Sequence, residues 1–148
     1  MKEVTKERKS SYTVYAAVDG TEFYTKEECS IYEASAKGVI HSKIAKMIKG
    51  KGDAWETLGG YDGHEIVALK MNRPEDLDTV KQFFLLECPY YNRKDNESIK
   101  EAKFNIMDTA YKENDALIFG VNCDGEYYFI NSRANIIDNL LNLKEDKE

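Results

Sequence analysis

The chain has 148 residues, 42% apolar and 32% charged, with a net charge of −6. That length suits one compact domain with a real core, and the balance is too apolar for a disordered chain. The negative charge argues against a direct, sequence-independent grip on nucleic acid, and no apolar run approaches the ~20 residues that a membrane-spanning helix needs.

Residues 1–10 (MKEVTKERKS) are mostly charged and read as a loose tail, with none of the apolar character of a secretory leader. From Ser11 the pattern changes. Tyr12, Val14, Ala16 and Val18 alternate with their neighbours at strand period. Asp19-Gly20 supplies the positive φ of a hairpin turn, and Thr21 to Tyr24 is the return strand. Thr25 and Glu28 form a capping box that opens a helix. Cys29, Tyr32, Ala36, Val39, Ile44 and Met47 recur at spacings of three and four, which predicts one helix over residues 26–49. Gly38 is its weak point, where a bend or the close approach of another element is expected.

Gly50 to Gly63 (GKGDAWETLGGYDG) holds five glycines and reads as loop and hairpin, with a strand over residues 54–58. Gly50 and Gly52 fit a helix stop and turn there, and Gly59, Gly60 and Gly63 a bulged hairpin. His64 to Met71 is a strand. Pro74 starts a helix that ends before Cys88-Pro89, because proline disfavours helix in its predecessor. Tyr90 to Asn96 is a polar loop. Ser98 and Glu101 make a second capping box, with Ile99, Ala102, Ile106 and Ala110 on one face of the helix they open. Ala116 to Val121 and Glu126 to Ile130 flank Asp124-Gly125 as a hairpin. Ser132 caps a last helix with Ile136, Ile137, Leu140 and Leu141, and residues 144–148 form a charged tail.

Asp-Gly occurs at 19, 62 and 124, each time between strands and before a helix. The chain therefore reads as three hairpin–helix units with an extra helix before the third. The expected class is α+β, a single domain over residues 11–143 with antiparallel hairpins alternating with helices, the helices on one face of the sheet. Strand edges from three hairpins are compatible with a homodimer.

Asp19-Gly20-Thr21-Glu22-Phe23, Thr25, Glu27-Glu28-Cys29 and Tyr32-Glu33 resemble a short pattern common in small phage and mobile-element proteins of bacteria, a DG-x-x-F hairpin followed by an acidic capped helix. It covers about sixteen residues. The resemblance implies an accessory role in the cytoplasm of a bacterial host cell, such as inhibition of host defence of the anti-CRISPR or anti-restriction type. It carries no functional residue over.

Chemical motifs are sparse. Cys29, Cys88 and Cys123 lie far apart, which is no disulfide framework and suits a reducing compartment. They and the two histidines show no zinc-site spacing, so neither metal nor cofactor is expected. Cys29 and Cys88 read as core residues and His41 as a partly buried structural histidine. His64 and Cys123 both neighbour Asp-Gly turns, but a catalytic thiol needs its base within hydrogen-bond reach, which sequence does not establish.

Two contact sites remain. Tyr90, Tyr91 and Arg93 combine residue types favoured at interface hot spots, with the alternative that one ring packs over the preceding helix. Lys49, Lys51, Trp55 and Tyr61 flank the glycine-rich segment, where cations and aromatics beside backbone N–H groups could hold a nucleotide. The leading expectation is a non-enzymatic protein that occludes a host protein. The alternative is a small-molecule binder.

Overall fold

A computed structural model describes residues 1–7, 11–53 and 63–145. The expected strand over residues 54–58, Trp55, Tyr61 and the Gly59-Gly60 bulge lie outside the described residues. The fold is α+β, as the patterning predicts, but it forms two compact units, Met1–Lys46 and Met47–Glu148. The chain builds two separate sheets, one in each unit, each with its own helices.

In the first unit, β1 (Lys2–Glu7), β2 (Ser11–Ala16) and β3 (Glu22–Phe23) form an antiparallel sheet in that order. The expected loose tail is thus in large part a strand. Val4 pairs with the buried Val14, and Lys6 reaches Glu22 at 2.6 Å. Gly20 has a φ of 92°, as its turn requires. Thr25 caps α1 (Lys26–Ala34), its hydroxyl accepting from the Glu28 N–H at 3.1 Å.

The single helix predicted over residues 26–49 is two. Ser35 adopts extended backbone, φ −70° and ψ 158°, and serves both ends. Its hydroxyl donates to the Tyr32 carbonyl at 2.6 Å and accepts from the Gly38 N–H at 3.0 Å, capping α2 (Ala36–Met47). The break swings the Tyr32 carbonyl over Gly38, where a Cβ would lie 1.9 Å from that oxygen. Gly38 is therefore a close approach between helix ends.

In the second unit, β4 (Ile48–Asp53), β5 (Glu65–Lys70), β6 (Ala116–Val121) and β7 (Tyr127–Ser132) are antiparallel in sequence order. Gly50 and Gly52 are strand residues, paired with Ala68 and Ile66, rather than a helix stop and turn. Helix α3 (Pro74–Glu87) starts with Asp76 reaching back to accept from the Asn72 and Arg73 N–H groups at 2.9 and 3.1 Å. Two short 3-10 turns, Pro89–Asn92 and Lys94–Asn96, lead into α4 (Glu97–Lys112). Ser98 lies inside the first turn of α4 instead of capping it, since the helix begins one residue earlier. The face of α4 turned inward carries Met107 and Ala110, whereas Ile99 is exposed.

Helices α3 and α4 cover one face of this sheet with an aromatic core. Phe83 meets Phe119 at 5.5 Å and Tyr127 at 5.0 Å, and Phe84 meets Phe129 at 5.9 Å, all edge to face. Val67, Leu69, Val80, Met107 and Leu117 fill between them. Lys81 pairs with Asp108 at 2.7 Å across the helices. Asp115 then ties two starts together, accepting from the Ala116 N–H at the foot of β6 and the Ala134 N–H in the first turn of α5 (Arg133–Glu145), both at 2.8 Å. Ser132 caps α5 as expected, accepting from Asn135 N–H at 3.3 Å.

Candidate functional site

Proline ends α3, and the chain must turn sharply before α4 can begin. Cys88 accepts from the Tyr91 N–H at 3.1 Å and the Tyr90 carbonyl accepts from the Arg93 N–H at 3.4 Å. The Tyr90 carbonyl also accepts from the Asn96 side-chain amide at 2.8 Å, and Asn96 is only 8% exposed. One buried amide therefore clamps the turn from beneath.

The three residues predicted as a contact site come together here. Tyr91 is half-buried and tilts against Phe84 at 4.9 Å, so the alternative reading of a ring over the preceding helix holds for this tyrosine. Burial first, then the neighbouring Cys88 and Tyr90, pushes the Tyr91 phenol above its ordinary range, so it stays a neutral anchor. Tyr90 meets Tyr91 edge to face at 5.3 Å and is 53% exposed. The Arg93 guanidinium lies over the Tyr90 ring at 5.5 Å. The result is an aromatic face and a planar cation presented to solvent on a turn anchored in the core. The groups it exposes are chemically suited to stacking and to bidentate hydrogen bonding. Sequence reasoning missed Asn96 and Phe84, the two supports, although an Asn three residues after Arg93 is a local signal for a turn.

The other candidates are dispersed. Lys49 and Lys51 are exposed on β4, while Trp55 and Tyr61 lie outside the described residues. His64 donates or accepts through Nδ1 with the Tyr128 hydroxyl at 2.9 Å, and the Tyr128 ring lies over Gly120. Pairing of Glu65 with Val121 brings His64 to the sheet end that carries the exposed Cys123, without a bond between them. Cys29 and Cys88 are buried, as expected. Burial, then Glu33, raises the Cys29 thiol, and burial, then the Glu87 charge, pushes Cys88 up to about 11. His41 is partly buried, with Nδ1 3.5 Å from Asp19. A cleft of about 290 Å³ between α4 and the start of α5 is lined by Asn105, Thr109, Glu113 and Asn135, and its Asp115 and Ser132 are occupied with capping. Among the described residues no group of His, Cys, Asp and Glu could hold a metal ion, and no helix is long and apolar enough to cross a membrane.

Comparison of the chain with protein-family models, with curated proteins and with solved structures finds no match.

Proposed function

We propose that the chain is a non-enzymatic binding protein that occludes a host protein, with the Pro89–Asn96 turn as its contact. One observation carries the mode of action. Tyr90 is exposed while its backbone is clamped by Asn96 and its neighbour Tyr91 is wedged on Phe84. An aromatic side chain already ordered in the free protein loses little entropy on docking, which is the property of an interface anchor. The host-directed role, as a phage or mobile-element inhibitor of defence, is supported by the resemblance of the Asp19–Glu33 segment.

Affinity capture from bacterial lysate tests it, with the tagged protein run beside a Tyr90→Ala, Arg93→Ala variant of unchanged circular dichroism. The wild type retains a stoichiometric host protein, and the variant loses at least about thirtyfold in affinity, the factor for a hot spot of ~2 kcal/mol. No partner at micromolar concentration, or equal capture by both proteins, ends this reading. A bound nucleotide with no protein partner moves the function to the Gly50 to Gly63 segment.

A further inference from the structure

The outer strand β4 has an unusual composition for a sheet edge, and what it could accept follows from its chemistry. Its residues, IKGKGD, pair with β5 on one side only, and among the described residues no strand lies beyond it. Gly50 to Asp53 pair regularly with Ala68 to Glu65, and the register shift is confined to Ile48 and Gly50. Lys49, Gly50 and Lys51 are exposed, and a Cβ on Gly50 would meet nothing within 4 Å. An approaching backbone therefore finds a strand with no side chain at Gly50 to hold it off. Neither lysine is in an ion pair with any described residue. Asp53, the one acid of the strand, is already engaged.

The opposite edge makes the contrast. β7 is YYFINS and bears no charged residue. Lysines on an outer strand discourage indiscriminate pairing, because an apolar or basic strand cannot neutralise them. They do not discourage an acidic one. A second copy of β4 would bring two more lysines and one aspartate, a poor match.

The geometry points to β4 as a docking edge for an extended acidic segment of another protein, added as a fifth antiparallel or parallel strand. Main-chain hydrogen bonds along β4 supply the affinity, and Lys49 and Lys51 select for carboxylates in the added strand. This edge does not depend on the aromatic turn, and either can fail without the other.

The probe is a fluorescein-labelled peptide of alternating valine and glutamate, compared with one of alternating valine and lysine, measured by anisotropy on the full chain. The acidic peptide binds and the basic one does not. Lys49→Glu with Lys51→Glu weakens the acidic peptide by about tenfold or more, as loss and reversal of two exposed charge contacts predicts, and creates binding of the basic peptide. Amide exchange of Gly50 to Gly52 slows on binding. A Tyr90→Ala, Arg93→Ala variant binds the acidic peptide unchanged. Equal binding of both peptides, no binding of either, or acidic-peptide binding that survives the double reversal overturns the proposal. So does self-association through β4 detected by light scattering and abolished by the same reversal.

Discussion

Tyr32 donates its hydroxyl to the Asp19 carboxylate at 2.5 Å, joining α1 to the Asp-Gly turn of the first hairpin. The other carboxylate oxygen accepts from the Thr21 N–H at 3.0 Å, and His41 of α2 stands 3.5 Å away. A single acid thus fastens its own turn and both following helices. Asp19→Asn and Tyr32→Phe should each destabilise the first unit by about 1.5–3 kcal/mol, the range for hydrogen bonds to a charged group. The double variant should cost less than the sum, because the two share one bond. Urea denaturation of the four proteins measures this.

The same cluster sets a pH dependence. Burial raises the Asp19 carboxyl, but Tyr32, Thr21 and His41 outweigh it and the net shift is downward from 3.8. A carboxyl depressed in the folded state stabilises fully above its unfolded value and loses that contribution as pH falls through the folded one. Wild type should therefore lose stability on acidification below about pH 4, and Asn at position 19 should remove that share of the loss. Urea midpoints between pH 2 and 6 give the comparison.

Gly38→Ala should destabilise, although alanine ordinarily favours a helix by about 1 kcal/mol. The added methyl would meet the Tyr32 carbonyl, which is backbone and cannot swing aside. A urea midpoint that rises on this substitution would show that the Ser35 break is absent.

Of the three thiols, Cys123 should react with iodoacetamide in the native protein at pH 8. Cys29 and Cys88 should not, being buried and raised. Mass spectrometry should find one label per native chain and three after denaturation.

Elements fixed by neighbouring residues were legible from the chain alone. Gly20, Gly63 and Gly125 all have positive φ, each in an Asp-Gly pair, and Thr25 and Ser132 cap the helices assigned to them. Tyr90, Tyr91 and Arg93 meet because they fall within four consecutive positions of one turn. Elements fixed by distant partners were not. Apolar spacing runs unbroken through Ser35, since a kink in the backbone leaves the period of side chains almost intact. Residues Lys2–Glu7 and Ile48–Asp53 resemble tail and loop by composition, because these two outer strands carry charged residues and glycine rather than a clear apolar alternation. The cap of α4 shifted from Ser98 to Asn96, whose amide is committed to a carbonyl six residues back.

Asp115 has an implication for engineering. The feet of β6 and of α5 are anchored to the same carboxylate, and the far end of the hairpin closes on itself, with Asn122 accepting from the Asp124 and Glu126 N–H groups. Length added between Asp124 and Gly125 is isolated from both anchors. That tip, with a ready thiol at Cys123, is the natural place to graft a reporter or tether the protein to a surface.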